Sequence, residues 1–124
     1  MKLANADLIV GTANADAEFQ LAARLWTGSV CFKMGADSFL LEMREGRIES
    51  LAPAETSLPG EVTISAPDAD WREMLKPVPK PFFQDLMAAI SRQDFHLEGS
   101  DLVAFYPYYR ATCRLIEIMR AISA

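Results

Sequence analysis

The sequence has few of the residues that most site chemistry needs. It carries one histidine, His96, and two cysteines, Cys31 and Cys113, in 124 residues. The cysteines stand far apart, so they give no metal-ligand spacing, and no disulfide can be read from them. They read as two small buried hydrophobes in a reducing compartment. No Lys/Arg cluster occurs, and the net charge is −5. Nucleic acid and anionic membrane surfaces both require a basic patch, so the charge balance argues against both. No apolar run reaches membrane-spanning length. The run Leu8-Ile9-Val10 is broken at once by Gly11, and it is too short and too polarly flanked for a signal peptide. These features place the chain in the cytoplasm. No repeats or low-complexity segments occur. No G-x-S-x-G, P-loop, H-E-x-x-H or dinucleotide fingerprint is present, and neither a cofactor nor a metal is called for.

What is present is an alternating pattern. The composition, 51% hydrophobic and 23% charged, fits one globular domain with a sizeable core. Val30, Phe32 and Met34, and then Phe39, Leu41 and Met43, place a large apolar residue at every second position. That period of two predicts strands with one buried face, over Ser29–Met34 and Ser38–Arg44. Gly35-Ala36-Asp37 and Glu45-Gly46-Arg47 are hairpin turns, and the second leads into a third strand, Arg47–Leu51. A polar, proline-containing loop, Ala52–Gly60, precedes a fourth strand, Glu61–Ser65.

Helices are predicted around this meander. Residues 1–13 read as an arm or strand-like lead-in, and 14–124 as the single domain. Asn14 or Asp16 caps a helix to Trp26, with Phe19, Ala22, Ala23 and Trp26 on one stripe. Ser65-Ala66-Pro67-Asp68 starts a helix to Lys76 that buries Trp71, Met74 and Leu75. Lys76–Pro81, with proline at alternate positions, is a rigid connector. Phe82–Arg92 shows Phe83, Leu86, Met87 and Ile90 at helical spacing. Phe95–Glu98 is a short fifth strand. The last helix, Asp101–Ile122, is apolar over most of its circumference, so it requires cover on more than one side. Pro107 should kink or restart it.

Four strings in this order resemble the sterol carrier protein type 2 family: Trp26–Gly35, Phe39–Ile48, Glu61–Trp71 and Phe95–Asp101. The likeness spans roughly residues 15–122. It implies an α+β fold: a five-stranded, largely antiparallel curved sheet covered by helices on one face. It also implies an apolar tunnel between the layers for a fatty-acyl, acyl-CoA or sterol-like ligand, with no catalytic residue. The proline-rich link departs from the family pattern. That link and the tyrosine-rich start of the last helix resemble a bacterial branch whose members accompany other enzymes.

A lipid tunnel needs concave apolar surface and a polar group at its mouth. Candidates for the lining are Phe32, Phe39, Leu41, Phe83, Met87, Ile90, Tyr106, Tyr109 and Met119. Each is equally at home in a filled core. Tyr106, Tyr108 and Tyr109 could grip a polar head or form a packing patch. Arg110 and Arg114, one turn apart, could meet a carboxylate or phosphate or lie on a solvated face. Asp94, His96 and Glu98 share one strand face, which reads as exposed. The leading expectation is a non-catalytic carrier of an apolar molecule. The alternative is an interaction module whose last helix docks a second copy or a partner enzyme. A small isomerase of the ketosteroid type would need a buried carboxylate facing an aromatic pocket, whereas the acids here cluster in turns and helix starts.

Overall fold

A computed structural model describes residues 1–54 and 62–123. The element order is α1 (Ala6–Ala15), α2 (Ala17–Ala22), β1 (Gly28–Met34), β2 (Asp37–Arg44), β3 (Arg47–Pro53), β4 (Val62–Ala66), α3 (Asp68–Met74), α4 (Leu86–Arg92), β5 (His96–Gly99) and α5 (Leu102–Phe105). A 3-10 turn, Tyr106–Tyr108, and α6 (Tyr109–Ser123) complete it.

The strands form one sheet in the order β3-β2-β1-β4-β5. β1–β2, β2–β3 and β4–β5 are antiparallel, but β1 and β4 run parallel. The sheet is therefore mixed, which corrects the antiparallel expectation in one pair. The reason is topological. After β3, β4 joins the sheet beside β1, on the side of the meander away from β3, and runs in β1's direction, as a crossover connection allows. Both hairpin loops are two residues long. Gly35 has φ +67, and a Cβ there would lie 2.9 Å from the Cβ of Asp68. Glu45 and Gly46 both have positive φ, as a primed turn requires.

Register puts the apolar residues in rows. Phe39, Phe32, Ile64 and Leu97 are paired across four strands, and Leu51, Leu41, Val30 and Val62 form the next row. A bulge after Glu42 lets Ile48 and Leu51 share that face although they are three apart. These rows join the helical residues Phe19, Trp71, Leu86, Leu115 and Met119 in one core. Trp71 stands edge-on to Phe32 and Phe95, and its indole N–H donates to the Lys33 carbonyl at 2.7 Å.

The N-terminal expectation is corrected. Residues 6–15 are helical, and Leu3, Ile9 and Ala13 are buried in the common core. Gly11 did not break the helix, because the tertiary packing of Ile9 and Ala13 carries the turn. The Met1 ammonium donates to the Met34 carbonyl at 2.7 Å and pairs with Asp37 and Asp68. Asp16, not Asn14, is the cap: its carboxylate accepts from the Phe19 N–H at 2.8 Å. Asn14 instead clamps the sheet edge. Its Oδ1 accepts from the Ile48 N–H at 2.9 Å, and its Nδ2 donates to the Ile48 carbonyl at 3.1 Å. Asn14→Ala should lower unfolding free energy by about 1–3 kcal/mol, because two edge groups of β3 lose their partner. Urea denaturation followed by circular dichroism checks this; an unchanged midpoint would show that water replaces the amide without loss.

Other boundaries move for local reasons. Ala52 and Pro53 extend β3 along the open edge, where a missing N–H is tolerated. The remainder of the polar loop from residue 55, and Glu61, lie outside the described residues. Ser65 belongs to β4, and Pro67 occupies the cap position of α3 without a side-chain hydrogen bond. Phe82 has φ +72, so α4 begins only at Leu86, where the Asp85 side chain accepts from the Ala88 N–H. The proline-rich connector is pinned by Glu73, which pairs with Lys76 at 3.2 Å and Lys80 at 3.6 Å. Phe95 lies just before β5 and is buried. Pro107 breaks the last helix into α5, the 3-10 turn and α6, as its missing N–H and fixed φ demand. The second side of α6 is covered by α1 and α2.

Candidate functional site

The apolar face of the sheet and the inner faces of the helices meet in a filled layer. Phe32, Leu41 and Met119 are wholly buried there, and Phe39 nearly so. Phe83, Ile90 and Tyr109 are half-buried against that core. Met87 and Tyr106 point outward, 44% and 53% exposed. Phe39 and Tyr109 line two separate clefts. The outward turn of Met87 follows from the late start of α4: Leu86 and Ala89 take the inner stripe. Tyr106 turns outward because the 3-10 turn changes the helical phase at Pro107.

That same change of phase brings Tyr108 inward, onto Trp26. The two rings stack with centroids 5.1 Å apart and planes within 6°, and Phe105 meets Trp26 edge-on at 6.2 Å. Trp26 is placed by the hairpin tip, since its carbonyl accepts from the Gly46 N–H at 2.9 Å. A Cβ on Gly46 would come within 3.1 Å of the Ala23 carbonyl oxygen, and φ there is +82, so a side chain at the tip would be strained. These aromatics wall a cleft of about 160 Å³ at the end of the sheet, with Val62 in its apolar wall and Thr27, Ser29, Ser100 and Asp101 supplying polar groups. Asp101 is partly committed, because its Oδ1 accepts from the Ala104 N–H at 3.1 Å. Trp26, Phe105 and Tyr108 were absent from the candidate lining. The aromatic spacing was visible in the sequence, but the turn that converges the rings was not.

A second cleft, about 220 Å³, opens along α6 beside Asp85, Tyr109, Arg110, Cys113 and Glu117. The Tyr109 hydroxyl accepts from the Met87 N–H at 3.0 Å. Burial, reinforced by the neighbouring Cys113, pushes the Tyr109 phenol above its ordinary range. Burial also raises the Cys113 thiol, so it stays protonated at neutral pH and is a poor nucleophile. Cys31, on the sheet, is buried and likewise raised. His96 and Asp94 pair at 3.0 Å on the exposed side of the sheet edge.

Arg114 meets carboxylates of its own chain: Asp16 at 2.9 Å, Glu18 at 2.8 Å and Glu117 at 2.9 Å. The Arg114 guanidinium and the Phe19 N–H hold the Asp16 carboxyl at about 2. The folded value lies below the ordinary 3.8, so the unfolded chain takes up the proton first. The stabilisation is present above the unfolded value and is lost as pH falls through the folded one. Asp16→Asn keeps a capping oxygen but removes the charge. Its melting temperature should fall below that of the parent at neutral pH, and the two should converge as pH falls from about 4 to about 2. Thermal melts across that range check this; a constant offset would show that the charge contributes nothing.

No protein-family model and no curated protein matches the sequence. Solved structures do. A crystal structure of sterol carrier protein 2 superposes with a TM-score of 0.76 at 21% identity, over 96% of this chain and 95% of that one. The solution structure of a conserved hypothetical protein from Thermus thermophilus gives 0.72 at 19% identity, over 98% and 90%. UbiJ-SCP2, a ubiquinone synthesis protein, gives 0.60 at 15% identity, over 92% and 90%. The chain has the sterol carrier protein 2 fold, as the four strings implied.

Proposed function

We propose that this chain, built on the sterol carrier protein 2 fold, binds an apolar small molecule of the lipid class between its sheet and its helices. The observation that carries the reading is the match over nearly the full length of both chains to sterol carrier protein 2. The chemistry of the layer agrees with it. A continuous apolar sheet face is paved with Phe39, Phe32 and Leu41, and the methionines Met34, Met74 and Met119 are buried around it. Methionine side chains are the ones that repack most readily around a guest. The aromatic cleft at Trp26, Phe105 and Tyr108 is the proposed mouth, with Thr27, Ser29 and Ser100 as the polar groups for a polar head.

The cleft volume decides how binding proceeds. Drug-sized ligands occupy roughly 300–1,000 Å³, and about 160 Å³ falls short of that. The ligand therefore displaces core side chains as it enters, and each buried methylene returns about 0.8 kcal/mol towards that rearrangement. No catalytic role is assigned to any residue. The apolar faces of α6 are covered within the chain by the core and by α1 and α2, whereas Val103 and Tyr106, in the part of the last helix before it, stay exposed.

Native mass spectrometry of freshly purified protein, followed by organic extraction and lipid identification, tests the reading. A co-purifying mass that leaves on extraction and returns with a fatty acid or steroid supports it. A clean chain mass, with no rise in melting temperature for any lipid tested, overturns it.

A further inference from the structure

The polar rim of the aromatic cleft has a composition of its own. Three hydroxyl side chains, Thr27, Ser29 and Ser100, and one carboxylate, Asp101, share the cleft with the rings of Trp26, Phe105 and Tyr108. Thr27 and Ser29 flank the start of β1 at Gly28, while Ser100 and Asp101 follow β5, whose last residue Gly99 pairs with Val62 at the start of β4. Asp101 caps α5 with one oxygen only: Oδ1 accepts from the Ala104 N–H at 3.1 Å, and Oδ2 has no hydrogen bond among the described residues. The Thr27 Oγ1 accepts from the Glu45 N–H at 3.0 Å, which leaves its own proton to donate. Among the described residues no lysine, arginine or histidine lines this cleft, and residues 55–61 and 124 contain none. Arg24 and Arg110 lie with Glu18 in a separate groove that shares only Tyr108 with the cleft.

A head group entering here meets hydroxyls, which donate or accept, and a carboxylate, which only accepts. A head that can both give a proton and accept one suits that rim. A carboxylate head has no proton to give at neutral pH, and it meets like charge. An ammonium head needs open ring faces to offset its dehydration, whereas Trp26 and Tyr108 turn a face each to the other and Trp26 is buried. Resting on the binding reading above, we propose that Asp101 selects the ligand's head group. Its Oδ2 accepts a hydrogen bond from the hydroxyl of an uncharged lipid alcohol and disfavours a carboxylate. Asp101 is exposed, so the charge repulsion is screened and the preference is modest.

The probes share a chain length and differ in the head: dodecanol, dodecyl methyl ether, dodecanoate and dodecylamine. Displacement of Nile red, an uncharged dye, ranks them near neutral pH and below micelle-forming concentrations, and shifts in melting temperature give a second ranking. Dodecanol should bind about fivefold to tenfold more tightly than the ether, which cannot donate, and than dodecanoate. Raising salt should narrow the gap to dodecanoate and leave the gap to the ether. Asp101→Asn keeps a capping oxygen and puts an amide donor in place of Oδ2. It should bring the ether and dodecanoate up to dodecanol at a near-parental melting temperature, whereas loss of a merely structural cap would weaken every probe alike. Equal binding of all four, or a ranking that Asp101→Asn leaves unchanged, overturns the proposal while the binding reading stands. Tighter binding of dodecylamine than of dodecanol also overturns it, since the selected head would then be a cation. If no probe displaces the dye and no lipid raises the melting temperature, the binding reading itself fails, and the proposal with it.

Discussion

Replacing Trp71 with alanine should remove about 3–5 kcal/mol of unfolding free energy, the range for truncating a buried aromatic. Against a total of roughly 5–15 kcal/mol for a natural domain, that is enough to leave the chain partly unfolded near room temperature. The argument rests on three contacts made by one side chain. Trp71 is fully buried, its ring lies 4.9 Å from Phe95 and 6.0 Å from Phe32, and its N–H reaches the Lys33 carbonyl at 2.7 Å. It therefore joins α3, the approach to β5 and the centre of β1. Trp71→Phe separates the contributions. It keeps most of the apolar area but leaves the Lys33 carbonyl without its donor, at about 1–3 kcal/mol. Urea denaturation followed by far-ultraviolet circular dichroism measures both variants. A loss below about 1.5 kcal/mol for the alanine variant would show that α3 is a loosely attached element rather than part of the core.

How much of this was legible beforehand depends on which physical signal each element carries. β1 and β2 were legible because one-sided burial writes a period of two into the chain, and two-residue loops need glycine at positive φ. The parallel β1–β4 pair was not, because the direction of a crossover is a property of the whole sheet. α1 escaped notice because its inner face is only Ile9 and Ala13, too sparse a stripe to register. In the layer between sheet and helices, Phe32, Phe39 and Leu41 were readable as inward-facing. Phe83, Met87 and Ile90 were assigned to a helix that starts four residues earlier than it does, and that error exchanged Met87 for Ala89 on the inner stripe. The aromatic cleft was the hardest to read. Trp26 lies beyond its helix, and Tyr108 faces it only because Pro107 tightens one turn, so the two meet through tertiary geometry that no local pattern encodes.

Under the proposed function, Met119 is the core residue that bears on binding most directly. It is fully buried on α6, in the layer that the proposed ligand would open. Met119→Ala should lower stability by about 2–5 kcal/mol, combining lost transfer free energy with the void left behind. The same truncation should raise affinity for cis-parinaric acid, a fluorescent long-chain acid, by about tenfold or more. The guest no longer has to displace that side chain, and each 1.4 kcal/mol of spared rearrangement is a factor of ten. A control distinguishes this from an engineered hole. A single missing side chain leaves space for a ring-sized molecule such as benzene, whereas a long-chain acid needs the neighbouring apolar layer to part as well. Fluorescence titration and ligand-dependent melting of the variant report both. If Met119→Ala is destabilised and gains benzene but not the fatty acid, the void is isolated, and the layer between sheet and helices is a closed core. If it gains the fatty acid, the methionine is a removable plug in a continuous apolar path, and the filled interior is the resting form of a binding site.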